Sequence, residues 1–64
     1  MRYGLTDREV QVLRLAMLGT SDNECGRVLF VSPLTVAKHL ENIAAKMGVE
    51  SREEVIARAK EEGL

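Results

Sequence analysis

The sequence is poor in cysteine, proline and aromatic residues, and these shortages exclude several classes of protein. With Cys25 as the one cysteine, no intramolecular disulfide can form, so this is not a small secreted fold held by disulfides. No apolar run approaches the ~18 residues of a membrane span, and no signal peptide is visible. We therefore expect a cytoplasmic protein with no membrane partner.

Groups for chemistry are equally scarce. The one histidine, His39, lies 14 residues from Cys25, which is not the spacing of a metal site. No nucleophile–base pair and no glycine-rich loop is recognisable. We expect no enzyme activity, no cofactor and no metal, with Cys25 as a small buried side chain and His39 as a packed one.

The chain also lacks an excess of positive charge. Its net charge is −1 and its isoelectric point is about 5.8. Taken alone, this balance argues against DNA binding, because neutralising phosphates supplies much of the affinity for DNA. Only residues 32–48 are positive: Lys38 and Lys46 outweigh Glu41, for a local net charge of +1.

Repeated helix-start signals dominate what is present. Three segments fit a capping box, in which a Ser or Thr is followed three residues later by Glu. They are Thr6–Glu9, Ser21–Glu24 and Ser51–Glu54. Gly19, Gly48 and Gly63 are natural helix stops. The 64 residues therefore predict one all-α domain, a compact four-helix unit spanning 1–64.

The third predicted helix is the most informative segment. It begins at Ser32, has Pro33 at its first position and ends at Gly48. Its apolar stripe, at helical spacing, is Val36, Leu40, Ile43 and Met47. Its opposite face is Leu34, Lys38, Glu41 and Ala45. A short helix precedes it across a tight turn, which predicts a helix-turn-helix over about 20–48.

The second and fourth helices leave alternatives open. The second carries an apolar face of Cys25, Val28 and Leu29, and we expect Phe30 and Val31 to be buried at the following turn. Gly26 either allows a close approach of a neighbouring segment or is simply tolerated. The fourth has an apolar face of Val55, Ile56 and Ala59, which either closes the core against the first helix or contributes to a dimer surface.

In this order and at this spacing, the residues resemble the LuxR/FixJ-type helix-turn-helix output domain of bacterial transcription regulators. The matching positions are Leu5-Thr6, Arg8-Glu9, Val12-Leu13, Leu15, Gly19, Ser21, Glu24, Leu29, Val31-Ser32, Thr35-Val36, His39, Asn42-Ile43, Lys46, Gly48-Val49, Ser51-Arg52 and Ala59. The resemblance implies a DNA-reading unit formed by helices two and three, with double-stranded DNA as the partner. It also implies an N-terminal receiver or sensor domain, so the chain is either a fragment of a longer regulator or a stand-alone one.

The resemblance assigns roles residue by residue. Ser21, Ser32, Thr35 and Lys46 fall where the family contacts phosphates, while Ala37, Lys38 and Glu41 fall where it reads base edges. A homodimer surface on the fourth helix would comprise Val55, Arg58 and Ala59.

Three departures from the family pattern bear on DNA affinity and on the sequence read. Ala37 and Asn23 replace lysines, and Glu41 adds an acid to the base-reading face. Leu34 and Ala37 can contact a thymine methyl, Glu41 can accept from cytosine, and Lys38 can donate to guanine.

Two functions therefore compete. The first is sequence-specific DNA binding and transcription regulation, with the third helix in the major groove. The alternative is a helical protein-interaction module with the same fold and little DNA affinity, favoured by the acidic isoelectric point and the missing lysines.

Overall fold

In the computed structural model, which describes residues 2–64, one helix (Pro33–Met47) lies at the centre and contacts each of the other helices. A short 3₁₀ turn at Arg2–Gly4 precedes four helices: α1 (Asp7–Met17), α2 (Asp22–Leu29), α3 (Pro33–Met47) and α4 (Arg52–Glu61). Over these described residues there is no β-strand, so the prediction of an all-α four-helix fold is confirmed. None of these helices is long and apolar enough to cross a membrane.

Each α-helix begins where the sequence predicts. The N-cap residues are Thr6, Ser21, Ser32 and Ser51. In every case the hydroxyl oxygen accepts a hydrogen bond from the amide three residues later, at 3.1–3.2 Å. These bonds satisfy amides that have no partner inside the helix, which fixes each start in the sequence.

The predicted capping boxes are complete only at α1. There the Glu9 carboxylate accepts from the Thr6 amide at 2.9 Å. The prediction of a full box is wrong at α2, because the Glu24 carboxylate pairs with Arg27 instead, at 3.0 Å. It is also wrong at α4, where the Glu54 carboxylate accepts from the hydroxyl of Ser51, at 3.4 Å, rather than from its amide.

The apolar stripe of α3 forms the middle of the core. All four of its predicted members are buried, and Ile43 is completely so. The surrounding core residues are Leu5, Val12, Leu13, Cys25, Val55 and Ala59. One helix thus presents one whole face to its neighbours and leaves the opposite face to solvent.

The end of α2 differs from the expectation. Phe30 is 94% exposed, so the prediction that it is buried is wrong, and Val28 is 55% exposed. The side chains of this eight-residue helix that pack in or against the core are those of Cys25 and Leu29. Phe30 caps the helix in the left-handed conformation, with φ 59° and ψ 43°, which directs its ring away from the domain.

Because Phe30 is strained and packs on little, we expect Phe30→Gly to stabilise the domain by about 0.5–1 kcal/mol. The left-handed conformation costs an L-residue about 1–2 kcal/mol, and glycine avoids this cost. Glycine also loses more conformational freedom on folding, which offsets roughly 0.5–1 kcal/mol of that gain. Leu18→Gly is the matched control, because Leu18 is also an exposed C-cap residue but has φ −84°. Urea denaturation should show a higher free energy of unfolding for Phe30→Gly and a lower one for Leu18→Gly. A higher value for both variants would contradict the explanation from the left-handed conformation.

The first and last turns of the domain are joined. The hydroxyl of Tyr3 donates to the carboxylate of Glu62, with oxygen–oxygen distances of 2.7 and 2.8 Å. This contact fixes the 3₁₀ turn against the end of α4.

Candidate nucleic-acid interface

The solvent side of α3 carries the predicted base-reading residues in one row. Leu34, Lys38 and Glu41 are exposed, and Ala37 is half-buried at the edge of the row. They occupy positions i, i+3, i+4 and i+7, which share one face of a helix. Because the buried stripe lies on the opposite face, the core holds this row in a fixed orientation.

Two helix N-termini lie at the surface with hydroxyl groups at their caps. Ser21 begins α2 and Ser32 begins α3, and both residues are exposed. The oxygens of Ser32 and Thr35 are 3.0 Å apart, so two predicted phosphate ligands lie side by side. The Ser21 oxygen accepts an amide hydrogen, which leaves its own O–H group able to donate. Of the Ser32 and Thr35 hydroxyls, one donates to the other, which leaves one O–H group of this pair able to donate outward. Capping and phosphate contact are therefore chemically compatible.

The turn between α2 and α3 is very tight. A Cβ atom on Gly26 would lie 2.5 Å from the carbonyl oxygen of Val31, and the Val31 amide donates to the Gly26 carbonyl at 2.9 Å. Of the two explanations for this glycine, close approach is therefore the correct one. Arg8 adds a bond from α1 to the Leu29 carbonyl, at 3.3 Å.

An ion pair that the sequence analysis missed joins the starts of α2 and α4. The guanidinium group of Arg52 donates to both carboxylate oxygens of Asp22, at 2.9 and 3.0 Å. Such two-point contacts fix orientation as well as distance. The pair links Asp22, which follows the cap Ser21, to Arg52 at the start of α4. The Ser51-Arg52 match to the family was the available signal, although it gave no partner.

Lys46 does not lie free at the surface as a phosphate ligand would. Its Nζ atom is 2.6 Å from Oε1 of Glu9 and 3.3 Å from the carbonyl oxygen of Gly4. Glu9 is only 4% exposed, so this pair ties the end of α3 to the start of α1. A phosphate contact by Lys46 stays a prediction. Two N–H groups of its ammonium already donate to Gly4 and Glu9, so a phosphate would have to accept from the third, and the charge is already neutralised by Glu9.

The Glu9 carboxyl remains ionised despite its burial. Burial raises its pKa, but hydrogen bonds from Lys46 and the Thr6 amide, with the attraction of the Lys46 charge, outweigh that effect. The net result is that the pKa of Glu9 lies below its ordinary value. Its negative charge is therefore part of the folded structure at neutral pH.

The cationic side chains of the helix-turn-helix differ in whether an acid neutralises them. Arg27 is paired with Glu24, and Lys46 with Glu9. Lys38 forms no ion pair with any residue from 2 to 64, and it shares its row with Glu41. The face thus presents one unpaired lysine, hydroxyl groups and apolar side chains.

The thiol of Cys25 lies in the core. Cys25 is buried, as predicted, and burial together with the nearby charge of Asp22 raises the pKa of its thiol. Within residues 2–64 no group of three or more His, Cys, Asp or Glu side chains is arranged to hold a metal ion.

Comparison with known proteins shows the family of the chain. Residues 3–59 match the family described as bacterial regulatory proteins, luxR family. The chain belongs to the LuxR family. This confirms the resemblance stated from sequence, and it implies DNA binding and transcription regulation. The Gly26–Val31 turn is thus the turn of a LuxR-type helix-turn-helix.

Individual relatives agree with this assignment. The chain is 41% identical over 59 residues to an HTH-type transcriptional regulator of Mycobacterium tuberculosis, covering 92% of this chain and 7% of that protein. It is 39% identical over 57 residues to the CsgBAC operon transcriptional regulatory protein of Escherichia coli, covering 89% of this chain and 26% of that one. It is 37% identical over 59 residues to the transcriptional regulatory protein DegU of Brevibacillus brevis, covering 92% and 25%.

These relatives are transcription regulators and not enzymes. The chain spans at most about a quarter of their length. A receiver or sensor domain attached to this LuxR-family domain stays a prediction.

The predicted dimer residues need a correction. Val55 and Ala59 are fully buried in the core, so a second copy cannot contact them while the LuxR-family domain stays folded. Of the two alternatives left open for the apolar face of α4, core closure is therefore right for these residues. Arg58 keeps part of its surface, as does Ile56, and a dimer contact on α4 would have to use such positions.

Proposed function

We propose that this LuxR-family domain binds double-stranded DNA sequence-specifically, with α3 in the major groove, and so regulates transcription. The observation that carries the proposal is the exposed row on α3, held in place by the buried stripe on its opposite face. An α-helix fits the major groove, and recognition helices contact base edges with their N-terminal part.

Each side chain of the interface has a role that its chemistry allows. Lys38 donates to the O6 and N7 atoms of a guanine, and Glu41 accepts from the amino group of a cytosine. Ser21 and the hydrogen-bonded pair of Ser32 and Thr35, which keeps one O–H group for an outside acceptor, donate to phosphate oxygens. These contacts set the register of the helix without reading sequence.

The charge distribution supports an unusual salt dependence for this binding. Because Arg27 and Lys46 are already paired with carboxylates, few cations are free to release counterions from DNA. We therefore propose that affinity falls with rising salt along a shallow slope.

A selection experiment tests the proposal directly. The domain is titrated against a pool of random duplexes at low and at physiological salt, and the retained DNA is sequenced. A recurring motif at both salt concentrations supports a sequence-specific reader, and two-fold symmetry in it supports a homodimer. A pool that shows no enrichment at either concentration contradicts the proposal.

Substitution of Lys38 tests the docking mode. Lys38→Ala should weaken binding to the selected duplex by about 1–3 kcal/mol and relax the preference at one base pair. Lys60→Ala is the matched control, because Lys60 is an exposed lysine on α4. Fluorescence anisotropy should show a loss in the first variant alone; equal affinities for Lys38→Ala and wild type would rule out this docking mode.

The alternative function, a protein-interaction module, has one observation in its favour. Val28 and Phe30 are exposed apolar side chains at the end of α2, where they could contact a protein surface. The same selection separates the two functions, because an interaction module of little DNA affinity would enrich no motif.

Three further properties follow from the proposed function. A DNA-binding regulator acts where the chromosome is, so we propose a cytoplasmic location. Recognition of an inverted repeat would require a homodimer, with Arg58 as the one predicted contact that keeps exposed surface. An attached receiver or sensor domain would control when that dimer forms.

A further inference from the structure

Leu34 stands out in the proposed reading face because it is a large apolar side chain that the fold leaves 82% exposed. It is the second residue of α3, after Pro33, and its row continues through Ala37, Lys38 and Glu41. The helix start needs nothing from Leu34, because the Ser32 hydroxyl already caps it. The side chain therefore has no evident structural task.

The composition of the row limits what it can recognise. Only Lys38 and Glu41 can form hydrogen bonds with their side chains, and one donor with one acceptor defines very few base pairs. The other two members, Leu34 and Ala37, are apolar. Among the groups that bases present in the major groove, the one that apolar atoms complement is the 5-methyl group of thymine.

We infer that Leu34 is a specificity-determining residue that reads a thymine methyl group. The inference rests on the proposed function, since it requires α3 to lie in the major groove. Leu34 and Lys38 are one helical turn apart, which corresponds to about 6 Å along the helix axis. Since base pairs are spaced at about 3.4 Å, the thymine lies within roughly two base pairs of the guanine that Lys38 reads.

Replacing thymine by deoxyuridine tests the inference, because this change removes the methyl group and nothing else. Each thymine of the selected duplex is replaced in turn, and affinity is measured by anisotropy. For the wild-type domain, one replacement near the Lys38 guanine should weaken binding about fourfold, the value expected for one buried methyl group. Leu34→Ala should bind the thymine and deoxyuridine duplexes equally.

Leu18→Ala is the matched control for this experiment. Leu18 is 81% exposed, nearly the same as Leu34, but it caps α1 outside the helix-turn-helix. This variant should keep the wild-type preference for the methyl group, and thermal melting should show that both leucine variants remain folded.

The possible outcomes are separable. Equal binding of thymine and deoxyuridine by the wild-type domain overturns the inference while the proposed function stands. Methyl sensitivity that persists in Leu34→Ala assigns the contact to another side chain, such as Ala37, and also overturns it. A random pool that yields no motif overturns the proposed function and the inference together.

Discussion

Lys46→Met is expected to lower the free energy of unfolding by about 2–3 kcal/mol. The substitution keeps an unbranched side chain but removes the partner of Glu9, whose side chain is 5% exposed. Breaking a fully buried ion pair typically costs 3–5 kcal/mol because one charge is left uncompensated. The value here is smaller, since the Lys46 side chain is 34% exposed and water screens part of the interaction.

Two variants distinguish this explanation from a loss of packing. Lys60→Met, at an exposed position of α4, should leave stability nearly unchanged in urea denaturation. The double variant Glu9→Gln with Lys46→Met should recover part of the lost stability, because no anion is then buried. A double variant less stable than Lys46→Met alone would contradict the proposed cause.

The ion pair of Glu9 and Lys46 should make the folded domain less stable as the pH falls. Folding lowers the pKa of Glu9, so its ionised form is favoured by the folded state. Its contribution is fully present above the pKa of the unfolded chain, roughly 4.3, and is lost as pH falls through the pKa of the folded state. The stability difference between wild type and Lys46→Met should therefore narrow as pH falls from the ordinary range of a glutamate towards the lowered pKa of Glu9 in the folded wild type, because below that pKa the carboxyl is protonated in both proteins.

Gly26→Val should be similarly damaging, with a loss of about 2–3 kcal/mol. Even the first added carbon would lie 2.5 Å from the carbonyl oxygen of Val31, and that oxygen belongs to the backbone. The α2–α3 turn would have to open to make room, which is the usual consequence of overfilling a packed site. Helix propensity cannot compensate, because valine forms helices only slightly better than glycine.

Ala57→Val is the matched control for the substitution at Gly26. Ala57 is exposed on α4, so the same side chain there should cost only about 0.5 kcal/mol in helix propensity. Thermal melting of the two variants separates a steric cause from an intrinsic one. A melting temperature of Gly26→Val equal to that of the wild type would contradict the steric explanation.

Local signals in the sequence were sufficient to predict the helices. The caps at Thr6 and Ser32 and the stripe from Val36 to Met47 were all confirmed. Such features depend on neighbours within one or two turns, so they can be read without knowing the fold. The exposed row on α3 followed from the same periodicity.

Contacts between distant segments were not predictable in this way. Glu9 and Lys46 are 37 residues apart, and the capping box already supplied a sufficient explanation for the glutamate. The family resemblance assigned Lys46 to a phosphate contact, and no local pattern announced its ion pair with Glu9. Likewise, a small apolar set such as Val55 and Ala59 has the same pattern in a core as in a dimer surface, and only packing decides between them.

Phe30 shows a third kind of limit. A large aromatic residue at the end of an apolar segment is normally buried, which is why burial was expected. Its position depends on its left-handed backbone conformation, which the sequence does not indicate. Glycine occupies a left-handed position beside the end of each of α1, α3 and α4, whereas at α2 the residue in that conformation is Phe30. Its side chain is exposed because the turn geometry takes precedence over hydrophobic burial.

The contact between Tyr3 and Glu62 has a topological consequence. It joins positions 59 residues apart, so the chain forms a nearly closed ring. Polypeptide attached before Tyr3 and polypeptide attached after Glu62 would leave from the same edge of the domain. A short linker between these ends, with the chain opened at the exposed Glu50, would give a circular permutant in which each of the four helices is intact.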